Sequence, residues 1–191
     1  MILLNSIFLI FVISSIKAAT VSDCDVVPIA KWSGSESNRK TYLPQPIDLV
    51  IVQHTVSQDC YTDDDCERIA NGIRTYQMES LNYDDIGQSF LIGGNGKVYE
   101  GAGWRVGAHT RGYNDRSIGL SFIGDFREKL PTSQALQVVK DFLNCAVYKK
   151  HVGINYNLVG HQQLVPTLSP GAMLQNLIQT WPHWVKDVNQ V

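Results

Sequence analysis

Two features that would point to a membrane protein or a nucleic-acid-binding protein are missing from this sequence. Beyond the first 16 residues, no stretch approaches the ~20 consecutive apolar residues that a membrane-spanning helix needs. Positive charge is not in excess, because 16 Lys and Arg face 18 Asp and Glu, and the basic residues are dispersed. The sequence therefore predicts neither a membrane anchor nor a nucleic-acid partner.

The one long apolar run lies at the N-terminus, from Ile2 to Ile16, and is too short to span a bilayer. Small residues follow it at Ala18, Ala19 and Thr20, as a signal-peptidase site requires. We therefore expect residues 1–18 to be a secretory signal peptide. Residues 19–191 are then expected to form a single secreted, extracellular domain.

The sequence contains four cysteines, and their spacing is not that of a zinc site. In an oxidising compartment an even set of four forms disulfides, and three pairings are possible. Cys60 and Cys66 are close enough to close a small loop, while a bond between Cys24 and Cys145 would join the N-terminal arm to the core. We favour these two disulfides over the alternatives.

Hydrophobic periodicity predicts strands mixed with helices. "PIDLVIVQHT" runs apolar without alternation and predicts a buried strand that ends near His54. Helical spacing predicts a helix over about 63–80, a long amphipathic helix over 132–150, and a last helix that ends before Pro182. "GGNG" at 93–96 predicts a hairpin, and "SIGLSFIGDF" and "NYNLVGH" predict further strands. The fold class is therefore α/β, with a mixed sheet covered by helices.

His54 and His161 each follow an apolar, strand-like run. Ligands collect at the carboxyl ends of strands in open α/β sheets, so the two histidines could share a site. Together with a third ligand they could hold a catalytic zinc with one open position for water.

Seven segments resemble, in order, those of peptidoglycan recognition proteins, and the short secreted insect type is the most similar. They are "VQHT", "DIGQSFLIGGNGKVYEGAGW", "GAHTRGYN", "SIGLSFIGDF", "VGHQQL", "TLSPG" and "IQTWPHW". The resemblance extends from about Cys24 to Trp184. It implies an amidase-like fold, with a mainly parallel central sheet, three main helices and a groove for the muramyl peptide.

Enzymes of this family are zinc amidases, and the resemblance indicates that the present chain lacks most of their metal site. Gln53 stands where the first zinc-binding histidine is found, Ser169 replaces the zinc-binding cysteine, and His161 alone is retained. Gln88 replaces a tyrosine that stabilises the reacting carbonyl. Because amide and hydroxyl groups are poor zinc ligands, we expect neither a metal cofactor nor amidase activity.

The groove itself is expected to persist. The resemblance places twelve residues in a peptidoglycan-binding site: His54, Thr55, Gln77, Gln88, Trp104, Arg105, His109, Tyr113, Asn114, Asp115, His161 and Ser169. On residue chemistry alone, packing is an alternative for His54, His161 and Tyr113, and the ring of Trp104 is expected to be buried rather than stacked on ligand.

The third residue of the peptide stem is recognised by a segment that departs from the family pattern. Members that prefer diaminopimelate carry an arginine where this chain has Asp115, although Arg116 could compensate. Only Arg105 and Val106 separate Trp104 from Gly107, one residue fewer than usual. The sequence therefore favours Lys-type peptidoglycan as the ligand.

The leading hypothesis is a non-catalytic pattern-recognition protein that binds bacterial peptidoglycan and acts through downstream immune signalling proteins. Two alternatives remain open at this point. One is an amidase whose zinc ligands are rearranged around His54 and His161. The other is an adaptor with a vestigial groove, which works through an exposed helical surface.

Overall fold

A computed structural model describes residues 23–189. The signal peptide predicted for residues 1–18 lies outside the described residues. Within 23–189, no helix has the length and apolar character needed to cross a membrane.

A six-stranded sheet forms the centre of the domain. Its strands are β1 (Val26–Val27), β2 (Ile47–His54), β3 (Phe90–Ile92), β4 (Val98–Glu100), β5 (Ile118–Phe122) and β6 (Val152–Gly160), in the spatial order β1-β4-β3-β5-β2-β6. All neighbouring strands are parallel except the β3–β4 hairpin, whose turn contains Gly96 with a φ of 77°. The predicted α/β class, the hairpin and the mainly parallel sheet are confirmed.

Four helices accompany the sheet: α1 (Ile29–Ser33), α2 (Asp63–Glu79), α3 (Ser133–Tyr148) and α4 (Ala172–Ile178). The three main helices, α2 to α4, are the predicted ones. The α2 helix begins where the sequence predicts, because the Thr62 hydroxyl accepts a hydrogen bond from the Asp65 amide at 3.2 Å. The short elements β1 and α1 were not predicted, since a strand of two residues and a helix of five are too short for a periodic signal.

The sheet has two differently covered faces. Side chains of in-register neighbours share a face, so Gln53, Ser121 and Leu91 point to one side, which we call the Gln53 face. The α2 helix packs on the β3–β4 part of this face, where Leu91 and Tyr99 lie. The opposite side, the α3 face, carries the largest core cluster and is covered by α3 and α4.

The structure contains both favoured disulfides, Cys24–Cys145 and Cys60–Cys66. The first joins the N-terminal arm to α3, and the second lies just before and at the start of α2. The other two pairings that the sequence left open are therefore excluded.

Candidate functional site

Gln53 is the central polar residue of the Gln53 face, and both the nitrogen and the oxygen of its amide group are hydrogen-bonded within the protein. Its Nε2 donates to the carbonyl oxygen of His109 and to the hydroxyl oxygen of Thr110, each at 3.0 Å. Its Oε1 accepts a hydrogen bond from Ser121 at 2.9 Å. Only 4% of the residue is exposed, so these bonds offset the desolvation of the buried amide.

His109 continues this hydrogen-bond chain. Thr110, which accepts from Gln53, lies 3.1 Å from Nδ1 of His109, and Nε2 of the same ring lies 3.4 Å from the carbonyl of Ser117. A carbonyl can only accept, so we assign the proton to Nε2 and let Nδ1 accept from Thr110. Burial lowers the pKa of His109 to about 4, so the ring is neutral near pH 7.

The His109 ring packs directly on strand β5, and Gly119 makes that contact possible. A Cβ at Gly119 would lie 2.7 Å from Cγ of His109. The glycine therefore allows the ring to lie between the strand and the segment that follows it. This contact fixes the height of His109 above the sheet.

The segment after His109 carries three of the predicted binding residues. Oδ1 of Asn114 accepts from the backbone N–H of Thr110 at 2.7 Å, which holds the turn against the Gln53 network. Half-buried Tyr113 packs on a cluster of Leu49, Ile51 and Val159. Asp115 is exposed.

Arg116 contacts Tyr113 directly. Its guanidinium lies 4.7 Å from the centre of the Tyr113 ring. The guanidinium of Arg116 therefore makes a cation–π interaction with this ring.

Gln77 and Gln88 border the same face near α2. Oε1 of Gln77 accepts from the Gly87 amide at 2.7 Å, so this side chain holds the segment that enters β3. Gln88 follows in that segment and is half-buried. Its Oε1 is buried and has no hydrogen-bond partner within residues 23–189.

Sequence reasoning missed Arg39. This residue joins the segment that leads into β3 to the segment that leads to His109. Its guanidinium donates to the carbonyls of Asp85 at 2.8 Å, Ile86 at 2.9 Å and Val106 at 3.4 Å. The partners are 46 to 67 residues away along the chain, and no local pattern predicts such contacts. The fork of the guanidinium suits several acceptors at once.

Asp85 is anchored in turn by Arg74 on α2, which sequence reasoning also missed. Nε of Arg74 lies 2.7 Å from Oδ1 of this fully buried carboxylate. Burial alone would raise the pKa of Asp85, but hydrogen bonds from Arg74 and from the amides of Asn38 and Ile86 outweigh it and lower the pKa. The acid is therefore ionised and paired.

His161 and Ser169 lie beyond the end of β6. His161 is half-buried at the start of a 3-10 turn, and burial, followed by the nearby His54, lowers its pKa to about 4. Ser169 is buried, and its Oγ accepts from the backbone amide of His54 at 3.1 Å. The hydroxyl thus holds its own segment to the end of β2.

The contacts of His54 bear on its predicted place in the groove wall. Successive side chains on a strand point to opposite faces, so His54 points away from the Gln53 face. Its side chain is 1% exposed, and Nδ1 accepts from the Phe126 amide at 3.2 Å. Burial lowers the pKa of His54. These contacts favour the packing alternative for the ring.

The neighbouring Thr55 stabilises a turn. Its Oγ1 accepts from the Gly124 amide at 3.0 Å and is 2.7 Å from the hydroxyl of Ser57. Two hydrogen bonds to other parts of the protein leave this hydroxyl little capacity for a ligand.

The contacts of Trp104 favour packing over the predicted ligand binding. Its ring stacks on His151 with centroids 4.4 Å apart and packs edge-on against Phe90 at 4.8 Å. These contacts place the half-buried ring on the α3 face. Arg105 is paired with Glu100 at 3.2 Å and lies over the ring of Tyr42.

The residues at the family's metal positions do not fit a zinc ion. The Gln53 amide is held by three internal hydrogen bonds, and Ser169 offers a hydroxyl in place of a thiolate. Within residues 23–189, no three His, Cys, Asp or Glu side chains are grouped to hold a metal. His161 alone is a suitable donor at these three positions.

Comparisons with known proteins agree on one family. The sequence model described as N-acetylmuramoyl-L-alanine amidase matches residues 43–172. A Bombyx mori peptidoglycan recognition protein is 46% identical over 188 residues, which cover 98% of this chain and 96% of the relative.

Solved structures give the same result. Manduca sexta Peptidoglycan Recognition Protein-1 has a TM-score of 0.83 at 48% identity, covering 87% of this chain and 95% of that one. The solved complex of peptidoglycan recognition protein-LE with tracheal cytotoxin, a monomeric diaminopimelic acid-type peptidoglycan, gives 0.78 at 35% identity, with coverages of 84% and 96%.

Proposed function

The chain belongs to the peptidoglycan recognition protein family, and from that premise we propose that it binds bacterial peptidoglycan without hydrolysing it. The ligand would lie across the Gln53 face, where His109, Tyr113, Asn114 and Gln77 surround the Gln53 network. Half-buried aromatic and amide side chains are suited to a glycopeptide, which presents both flat and polar surfaces.

The observation that carries the non-catalytic proposal is the internally hydrogen-bonded amide of Gln53. An enzyme of this family needs a metal ligand at this position, whereas here both amide hydrogens and the oxygen are bonded to Thr110, His109 and Ser121. Freeing the amide would leave buried polar groups without partners. This is why the alternative of an amidase with rearranged ligands gains no support from the geometry.

The proposal also includes the location and the consequence of binding. We propose a secreted protein, cleaved after a leader at residues 1–18 and acting as one domain over 19–191. Binding would then activate immune signalling through other proteins. Two disulfides are consistent with an oxidising compartment.

Binding is tested by sedimentation of the protein with insoluble peptidoglycan. We expect Tyr113→Ala to reduce the bound fraction, because the ring is half-exposed beside Asn114. Tyr148→Ala is the matched control, since Tyr148 is 83% exposed on α3, away from this face. Signalling that survives the loss of binding in Tyr113→Ala would support an adaptor with a vestigial groove.

Hydrolysis is tested on the same preparation. Metal analysis and digestion of muropeptides should give no stoichiometric zinc and no free stem peptide. Release of stem peptide that depends on zinc would overturn the non-catalytic proposal.

For the third stem residue, we propose a preference for lysine. Exposed Asp115 would repel the extra carboxylate of diaminopimelate, and Arg116 lies on the Tyr113 ring. Titration with lysine-type and diaminopimelate-type muramyl tripeptides side by side tests this. Asp115→Arg should shift the ratio towards diaminopimelate, whereas Asp64→Arg, on the exposed first turn of α2, should not.

A further inference from the structure

A cavity of about 460 Å³ lies on the α3 face, on the other side of the sheet from Gln53. Three elements surround it: α3, the edge strand β6 and the segment 181–183 that follows α4. None of the residues proposed for peptidoglycan binding line it. A ligand here would therefore bind independently of the Gln53 face.

Most of the cavity wall is hydrocarbon. The apolar part of the wall consists of Leu143, Val147, Ile154, Leu158, Trp181 and Pro182. Ile154 is 74% exposed at its rim, and covering such a side chain with another apolar group is favourable by roughly 25 cal/mol for each Å² removed from water. The wall therefore suits an apolar chain or ring.

The cavity contains a single full charge, that of Lys140. Within residues 23–189 no carboxylate pairs with this ammonium group. Its Nζ lies 5.8 Å from the centre of the Trp181 ring, so the charge is held at the edge of the apolar wall. Tyr156, whose hydroxyl has no hydrogen-bond partner in the same described range, also lines the cavity.

The segment 181–183, which forms the third side of the cavity, contains a residue in an unfavourable backbone conformation, His183. It has a φ of 66°, a region that non-glycine residues seldom adopt. Its ring stacks on Tyr156 with centroids 4.1 Å apart, and its carbonyl accepts from the Leu158 amide at 2.8 Å. Strained residues of this kind concentrate at binding sites, where the surrounding contacts enforce them.

We propose that this cavity binds an amphipathic anion, with a hydrocarbon chain against Leu143 and Ile154 and a carboxylate or phosphate at Lys140. A sugar fits less well, because five of the ten lining residues are aliphatic and their side chains offer no partners for hydroxyl groups. A cationic amphiphile would meet the uncompensated charge of Lys140. Charge and wall chemistry therefore select the same class of ligand.

Calorimetric titration of the mature protein tests the proposal with amphiphiles that share a dodecyl chain. Dodecanoate and dodecyl phosphate should bind, and their ratio identifies the preferred head group, whereas dodecyltrimethylammonium should bind at least several-fold more weakly. Lys140→Glu should reverse this order. Lys150→Glu, the same charge change at an exposed lysine that does not line the cavity, should leave the order unchanged.

A second variant tests the apolar wall. Ile154→Ser should weaken all three amphiphiles several-fold, and because Ile154 is exposed the substitution leaves the core intact. Equal binding of anionic and cationic amphiphiles, or no binding of any of them to the native protein, would overturn the proposal. Sedimentation with peptidoglycan should be the same for Lys140→Glu and the native protein, which separates this site from the Gln53 face.

Discussion

Ser121 donates its hydroxyl hydrogen to Oε1 of Gln53 across the β2–β5 strand pair, at 2.9 Å. The two residues are in register, so the bond joins neighbouring positions on one face of the sheet. It occupies one lone pair of Oε1, the only atom of the Gln53 side chain that could coordinate a metal ion. The residue that replaces the zinc-binding histidine thus acts as a structural element of the sheet.

The first prediction concerns metal uptake. Ser169→Cys supplies the missing thiolate but leaves the Gln53 amide in its hydrogen bonds, so this single variant should not bind stoichiometric zinc. Gln53→His combined with Ser169→Cys restores three donors with His161 and should bind zinc. Equilibrium dialysis with metal analysis measures both, and zinc held by the Ser169→Cys variant would contradict the role assigned to Gln53.

The second prediction concerns stability. Gln53→Met keeps the volume of the side chain but leaves Ser121 and the His109 carbonyl without their buried partner. We expect the free energy of unfolding to fall by about 3 kcal/mol, measured by urea denaturation. Gln58→Met is the matched control on an exposed glutamine and should change little. Equal free energies of unfolding for the two variants would show that the hydrogen bonds of Gln53 do not stabilise the fold.

These residues also show where sequence reasoning succeeds and where it fails. The apolar run of β2 and the Thr62 cap of α2 are local features, and both predicted their elements to within about two residues. The face on which a residue lies is a different problem, because one position along a strand reverses the side chain. The resemblance placed His54 in the groove, whereas only its neighbour Gln53 faces that side.

Long-range polar contacts could not be predicted from the sequence for another reason. Arg39 and Arg74 bind groups that come close only after α2 and the sheet have packed. In a sequence, an arginine with such buried partners cannot be distinguished from one that is exposed to solvent. For Trp104, the resemblance predicts ligand binding, and its packing against Phe90 could not be predicted from the sequence.

The third prediction tests the ion pair that anchors the segment before β3. Arg74→Met would leave the buried carboxylate of Asp85 without its cation, and the free energy of unfolding should fall by about 3–5 kcal/mol. Arg68→Met removes an exposed partner of Asp65 on the same helix and should have a much smaller effect. Chemical denaturation of both variants gives the comparison, and similar losses would contradict a special role for the buried pair.

The fourth prediction compares the two disulfides. Cys60 and Cys66 are separated by 6 positions, and Cys24 and Cys145 by 121. Because a longer loop restricts the unfolded chain more, replacing both cysteines with serine should cost about 2 kcal/mol for the short loop and about 5 kcal/mol for the long one. Urea denaturation of the two double variants tests the order, which an equal or inverted result would contradict.

The last prediction concerns pH. The pKa values of His109 and His161 are lowered to about 4 in the folded protein, chiefly by burial, whereas an unfolded histidine titrates near 6.5. Between these values the unfolded chain binds more protons, so the free energy of unfolding must decrease as the pH falls from about 6.5 towards 4. For fully buried His109 the loss is roughly 3 kcal/mol.

His109→Asn removes one titrating group and should flatten this dependence, and His109→Asn with His161→Asn should flatten it further. Unfolding free energies measured across this pH range give the slopes, and each variant is compared with its own value near neutral pH so that a uniform loss of stability cancels. If the double variant keeps the slope of the native protein, the two rings are not buried in their neutral form.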